Sequence, residues 1–139
     1  MVQKILVAND GSKGGEAAVR AAIALANQLG VGLSMVCVEY LERFPATVDR
    51  VAEAQTEAAD AFDATVDRAK AEAKAAGVAL EARVIVGHPV KSIVEEVSRG
   101  GYDLLVVGYM GHSALFDRMI GSTTNRLVEL SPCPVMVVK

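Results

Sequence analysis

An apolar strand leads into a glycine-rich loop and then a helix in the segment Leu104-Leu-Val-Val-Gly-Tyr-Met-Gly-His-Ser-Ala-Leu-Phe-Asp-Arg-Met-Ile-Gly-Ser122. Gly108 ends the apolar run, Gly111 and Gly121 lie in the loop, and residues 125–130 continue with helical spacing. Glycines let a backbone approach a ligand closely, and the unpaired N–H groups of a helix N-terminus attract anions. The segment therefore predicts a strand–loop–helix unit that binds a phosphorylated small molecule.

Outward from this segment, the whole chain alternates short apolar runs with helical patterns. The five apolar runs are Lys4–Ala8, Gly32–Val38, Leu80–Val86, Asp103–Val107 and Pro134–Val138. Strands that are apolar on both faces and separated by helices are typical of a parallel sheet with helices on each side. Right-handed crossovers then predict an α/β fold, an open, doubly wound five-stranded sheet.

The length and composition narrow the class of protein. At 139 residues and 52% hydrophobic content, the sequence predicts one domain over residues 1–139. The net charge of −3, with no basic block, argues against a nucleic-acid partner. No apolar run has the length of a membrane span, and the N-terminal one ends at Asn9, so we expect no membrane partner and a cytoplasmic location. Cys37 and Cys133 lie in apolar runs, which predicts buried, reduced thiols.

Two polar strand ends are expected to meet at one crevice. Asn9-Asp10-Gly11-Ser12 follows the first strand, and Gly108 follows the fourth. Ligands of doubly wound sheets bind beyond the carboxyl ends of the strands, where the strand order reverses. Gly108 and Gly111 are predicted to adopt positive φ and expose a nest of N–H groups, while Gly121 and Ser122 begin a helix there. Ser122 and Thr123 add hydroxyl donors. The alternative is that these glycines serve only as turn and cap residues.

Asp10 has two interpretations that the sequence leaves open. Its carboxylate is suited to bind a ribose hydroxyl or a metal on the phosphates, and equally to form an Asx turn or cap the first helix. His88 and His112 lack an evident catalytic array. Arg118 and Arg126 are candidates to contact phosphate, although solvated helix faces explain them equally well, and Arg118 is the better candidate because it lies within the loop. Neither the Walker pattern nor the GxGxxG pattern is present.

The glycine spacing Gly108-x2-Gly111-x9-Gly121-Ser122 resembles the nucleotide-binding signature of the universal stress protein family, ATP-binding branch. The opening Lys4–Ser12, the Gly87-His-Pro89 turn and the closing Ser131–Lys139 fall where that family has its hallmarks. The resemblance covers the whole chain. It implies a five-stranded parallel sheet of order 3-2-1-4-5, a Rossmann-like fold of the nucleotide α-hydrolase type, with ATP in the crevice, with or without Mg²⁺.

The resemblance also implies roles for particular residues. Asp10 would bind the ribose with Ala8 beside it, and the backbone of Val38, at the end of the second strand, would bind adenine. The residues around the phosphates would be Gly108, Met110, Gly111, Gly121, Ser122 and Thr123. Met110 departs from many relatives, which carry Arg or His there, and so removes one phosphate donor. Family members commonly form homodimers through the last strand, here Val135 to Val138.

A nucleotide-dependent regulatory protein of the stress response is the function that these features favour. No convincing catalytic array is present, so a dedicated enzyme is not expected and metal ligands are not assigned. Two alternatives stay open: a nucleotide-free dimeric interaction module, and a slow ATPase of the nucleotide α-hydrolase class.

Overall fold

The computed structural model describes residues 1–40, 48–110 and 120–139; for residues 48–51 it describes the backbone. Within these ranges a sheet of five parallel strands has the order β3-β2-β1-β4-β5, as predicted. The strands are β1 (Ile5–Ala8), β2 (Leu33–Tyr40), β3 (Leu80–Gly87), β4 (Leu104–Gly108) and β5 (Val135–Val138). The helices are α1 (Lys13–Leu29), α2 (Val48–Ala75), α3 (Pro89–Gly100) and α4 (Ser122–Leu130).

The helices cover the sheet on two faces, and each face has its own core. Alternate residues of β1 point to opposite faces: Ile5 and Val7 pack with α1 and α2, whereas Leu6 packs with α3 and α4. All three side chains are at most 1% exposed. Because β1 is buried on both faces, it carries apolar residues at every position. This agrees with the predicted doubly wound sheet.

Side-chain caps and glycines fix the ends of two helices. Ser12 Oγ accepts the N–H of Gly15 at 3.1 Å at the start of α1, and Gly30 ends that helix in the left-handed conformation. At α3, His88 Nδ1 accepts the N–H of Lys91 at 3.5 Å, and Gly101 closes the helix. Several strand boundaries differ from the prediction by one residue, and the end of the second strand differs by two. The second strand continues past Val38 to Tyr40, because β3 pairs with it as far as Gly87.

The two edges of the sheet differ. The N–H of Leu33 donates to the carbonyl of Ala79, so odd-numbered β3 residues face β2 and even-numbered ones face the open edge. There, Gln55 Nε2 from α2 donates to the carbonyl of Val84 at 2.8 Å. This bond occupies an edge acceptor of β3.

In the described part of the chain, no helix is long and apolar enough to cross a membrane.

Asp103 fastens the N-terminus to the start of β4. Its two carboxylate oxygens accept the N–H of Gln3 at 2.9 and 3.1 Å and the N–H of Lys4 at 3.0 Å. These bonds hold the pKa of Asp103 below its ordinary value, because they favour the charged carboxylate.

The stabilisation by Asp103 is expected to be lost in acid. A carboxylate whose pKa is lower in the folded state contributes fully above its unfolded pKa, about 3.9, and the contribution disappears as the pH falls through the folded pKa. Asp103→Asn should therefore unfold at a lower urea concentration than the parent at pH 7. The difference between the two urea midpoints should narrow below about pH 4. A gap that does not change with pH would show that the charge of Asp103 does not contribute.

Candidate functional site

A cavity of about 310 Å³ opens beyond the carboxyl ends of β1 and β4, where the strand order reverses. Its volume is within the range of small-molecule sites. Eight of the nine predicted binding residues line it: Ala8, Asp10, Val38, Gly108, Met110, Gly121, Ser122 and Thr123. The ninth, Gly111, lies outside the described residues, as do His112 and Arg118. The structure thus brings together residues from four separate elements.

One wall of the cavity is the N-terminus of α4. The N–H of Gly121 donates to the carbonyl of Tyr109 at 2.9 Å, and Thr124 Oγ1 donates to the carbonyl of Gly108 at 2.7 Å. These two bonds fasten the first turn of α4 to the end of β4. The first amides of a helix have no acceptor within the helix. The N–H groups of Ser122 and Thr123 are therefore available, next to two hydroxyls, at the wall of the cavity.

Gly108 is required by close packing and not by its backbone conformation. Its φ is not in the left-handed region, so the predicted positive-φ nest is wrong at this residue. A Cβ at Gly108 would lie 2.5 Å from the carbonyl oxygen and 2.6 Å from the carbonyl carbon of Gly14. A Cβ at Gly14 would in turn overlap the carbonyl of Met110. The two glycines let α1 lie directly against the end of β4, which fixes where the following loop begins.

The polar loop after β1 is built around Asn9 and Asp10. Asn9 Oδ1 accepts the N–H of Gly11 at 3.0 Å, and Asp10 Oδ1 accepts the N–H of Ser12 at 3.0 Å together with the Ser12 hydroxyl. Asp10 therefore forms the Asx turn that was one of its two predicted roles, and its side chain also lines the cavity. Gly11 has a φ of +82°, which explains the glycine in this turn.

The opposite wall of the cavity is apolar and was largely missed by the sequence analysis. It consists of Val36, Val38, Tyr40, Phe62, Pro89 and Ile93. Phe62 had the spacing of an ordinary core residue of α2, and it is indeed only 7% exposed. Tyr40 packs edge-on against His88, with 5.8 Å between the ring centroids. Because His88 is the cap of α3, it has a structural role that does not require catalysis.

Val38 offers backbone groups to the cavity, although it is not at the end of its strand. The N–H of Asn9 donates to the carbonyl of Val36 at 3.0 Å, so the backbone of Val36 faces β1. Backbone groups alternate in direction along a strand, so those of Val38 face the same side. The last residue of β1 paired with β2 is Ala8, opposite Val36. The N–H and carbonyl of Val38 therefore face the space beyond β1.

The electrostatics of the cavity are simple. Among its described lining residues, Asp10 is the single charged side chain.

The two cysteines differ in burial. On the other face of β2, Cys37 is fully buried, and this burial, with a smaller effect of the Asp10 charge, raises the pKa of its thiol to about 12. Cys133 is partly exposed, which corrects the prediction that both thiols are buried. The described residues contain no group of three His, Cys, Asp or Glu placed to hold a metal ion.

The comparison with known families agrees with this geometry. The model of the universal stress protein family matches residues 1–139. The chain belongs to the universal stress protein family. The universal stress protein YxiE of Bacillus subtilis is 30% identical to it over the full length of both chains.

Two solved structures extend the comparison to the fold. The structure of protein MJ0577 of Methanocaldococcus jannaschii covers 100% of this chain and 96% of its own, with a TM-score of 0.86 and 26% identity. A universal stress protein crystallised in complex with cAMP covers 99% of this chain and 97% of its own, with a TM-score of 0.75 and 28% identity. This universal stress protein thus shares the α/β fold of its solved relatives.

Proposed function

We propose that this universal stress protein binds an adenine nucleotide, ATP above all, and acts as a nucleotide-dependent regulator in the stress response. The observation that carries the proposal is the shared cavity: eight predicted binding residues, distant in sequence, line one space at the switch point of the sheet. The complex of a related universal stress protein with cAMP supports a nucleotide as the ligand.

The two walls of the cavity suit the two ends of a nucleotide. The purine lies against the apolar wall and bonds with the backbone of Val38. The phosphates lie at the N-terminus of α4, where Ser122 and Thr123 supply amides and hydroxyls. Asp10, between these ends, accepts a ribose hydroxyl or shares a Mg²⁺ ion with the phosphates, since Mg²⁺ prefers such oxygen ligands. The family resemblance also assigns Gly111, which lies outside the described residues, to the phosphates.

Regulation follows from the linkage between binding and stability. A ligand at a hundred times its Kd stabilises the state that binds it by about 2.7 kcal/mol. The nucleotide contacts residues from β1, β2, β4 and α4 in this arrangement, so its binding favours the conformation in which these elements are closed around it. A change in cellular nucleotide level would then change the population of that conformation.

Calorimetric titration of nucleotide-free protein with Mg-ATP, ADP and AMP tests the proposal. We expect ATP to bind with micromolar or lower Kd, about −8 kcal/mol. A folded protein that gives no heat at two temperatures would contradict nucleotide binding and favour the interaction module. Phosphate release, followed in the same samples over hours, would identify a slow ATPase.

The second part of the proposal is a homodimer formed through β5. The carbonyl of Pro134 accepts the N–H of Leu105 at 2.9 Å, and that of Val138 accepts the N–H of Tyr109 at 2.7 Å. Even-numbered β5 residues therefore face β4, and the backbone of Val135 and Val137 faces the open edge. An open apolar edge strand is a surface for pairing with a second copy. Val128 and Leu130 of the adjacent α4 are nearly half exposed and extend this apolar surface.

Proline at position 137 is expected to convert the dimer into a monomer. It removes the N–H that faces the open edge and leaves the bonds between β5 and β4 in place. Sedimentation velocity would compare Val137→Pro with Val86→Pro, which removes the corresponding edge group from β3 and should stay dimeric. A parent protein that sediments as a monomer, or a dimer that survives Val137→Pro, would contradict pairing through β5.

A further inference from the structure

A second cavity, of about 420 Å³, lies near the amino ends of β2 and β3, at the opposite end of the sheet from the cavity beyond β1 and β4. Its charged lining residues are three bases and two acids, and so carry a net charge of +1: Lys70, Arg83, Arg99, Glu81 and Glu96. Among the described residues, none lines both cavities. The second cavity is therefore a separate place on the molecule.

The secondary structure directs Arg83 and Glu96 toward each other. Ile85 packs in the core beneath α3, and the alternation of side chains along β3 puts Arg83 on the same face of the sheet. On α3, Ile93 is buried in that core, and Glu96, three residues later, lies on the same face of the helix. Arg99 follows Glu96 by a further three residues. One carboxylate and two guanidinium groups thus meet between β3 and α3.

The buried carboxylate of Glu96 holds both guanidinium groups. Arg83 Nη1 donates to Glu96 Oε2 at 3.2 Å and to Oε1 at 3.4 Å. Arg99 donates from Nε to Oε2 at 3.1 Å and from Nη2 to Oε1, a two-bonded arrangement that fixes the plane of its guanidinium. The side chain of Glu96 is 5% exposed, whereas those of Arg83 and Arg99 are 53% and 58% exposed. The acid is enclosed, and the two bases reach the open side of the cavity.

This cluster holds more positive charge than the burial of Glu96 requires. Removal of a carboxylate from water is costly, and apolar residues in place of a buried ion pair are often at least as stable. One arginine neutralises Glu96, and the second leaves the three side chains with a net positive charge. Arg83 keeps its donors on Nε and Nη2, and Arg99 keeps those on Nη1, and no described residue accepts a hydrogen bond from them. These donors are available to a ligand.

We propose that the second cavity binds a phosphate group, either free or at the end of a small phosphorylated molecule, between Arg83 and Arg99. A phosphate group has enough oxygens to accept hydrogen bonds from two guanidinium groups at once, and its charge of about −1.5 to −2 is attracted by the net positive charge there. The hydroxyl of Ser34, which also lines the cavity, adds a further donor. Glu96 is the positioning residue, since it holds both arginines and does not itself contact the anion.

NMR titration of the isotope-labelled protein with inorganic phosphate, at constant ionic strength, tests the proposal. We expect the backbone amide and Nε–H signals of Arg83 and Arg99 to shift in one saturable process, with a Kd of about 1 mM or lower. The amides of Ser122 and Thr123 report separately on binding in the cavity beyond β1 and β4. Shifts confined to those two residues, or shifts of the arginine signals that do not saturate, would overturn the proposal.

A second titration, with glycerol phosphate, distinguishes the two sources of the phosphate group. Tighter binding than that of inorganic phosphate would support an ester as the ligand, and weaker binding would support the free anion. Arginine signals that respond to neither probe would overturn the site, whatever the protein does with nucleotides.

Substitution of Arg83 separates a specific site from general attraction to positive charge. Glutamine at this position keeps an amide donor for Glu96, which Arg99 still neutralises, so the fold should be preserved. Arg83→Gln should weaken phosphate binding at least about tenfold and leave the affinity for ATP unchanged. The matched control is Arg20→Gln, since Arg20 is an exposed arginine of α1 that lines neither cavity. Equal losses from the two substitutions would overturn the proposal.

Discussion

Valine in place of Gly121 is expected to abolish nucleotide binding and to leave the fold intact. Gly121 precedes α4 with φ −60° and ψ 146°, an extended conformation that any residue adopts, so the backbone does not require glycine there. Its position lines the cavity beside Ser122 and Thr123. The branched side chain of valine would fill the space next to the free amides. We expect a loss of at least about a hundredfold in affinity, equivalent to roughly 2.7 kcal/mol.

Gly121→Ser is the matched control for this substitution. Serine is small and is a preferred N-cap residue, so it should preserve or raise stability and keep most of the binding. Calorimetric titration and thermal unfolding of both variants measure the two quantities separately. If Gly121→Val still binds nucleotide, Gly121 does not belong to the phosphate site. If Gly121→Val does not fold, this glycine has a structural role.

Alanine in place of Gly108 is expected to damage the fold itself. The added Cβ would lie 2.5 Å from the carbonyl oxygen of Gly14, and this contact is backbone against backbone. Because neither β4 nor α1 can yield by a side-chain rotation, α1 must move away from the sheet. Overpacking of this kind typically costs about 1–3 kcal/mol, and we expect the upper end of that range.

Urea unfolding of Gly108→Ala beside Gly32→Ala measures this cost. A Cβ at Gly32 would lie 3.6 Å from the carbonyl of Ala79, an ordinary contact, so that variant should unfold close to the parent. Two variants that unfold alike would show that the packing of α1 on β4 adjusts without penalty, and that Gly108 is replaceable.

The sequence was sufficient for the architecture because local and global signals agree. Each strand is an apolar run, and helix ends carry their own markers, as at Ser12, Gly30 and Gly101. Those markers act through bonds within a few residues, so sequence patterns detect them. The strand order followed from the resemblance to a family, and the structure confirmed it.

The parts of the site that sequence could not supply depend on contacts between distant elements. Phe62 fits the period of a buried helix face whether or not a cavity lies beside it, so its place in the wall was not foreseen. The function of Gly108 depends on Gly14, which only folding brings near. Similarly, the extension of β2 to Tyr40 depends on pairing with β3 and not on the residues of β2 themselves.

The hydrogen bond from Gln55 to Val84 limits how copies of this chain can assemble edge to edge. A sheet that can pair at two opposite edges is a repeating unit, and each added copy presents a fresh edge for the next, so growth into a fibre has no natural end. With an edge acceptor of β3 already occupied by a side-chain amide, growth is hindered on that side. In the proposed dimer, pairing of identical β5 strands about a two-fold axis would occupy the remaining edge in a single step, and assembly would end with a closed pair.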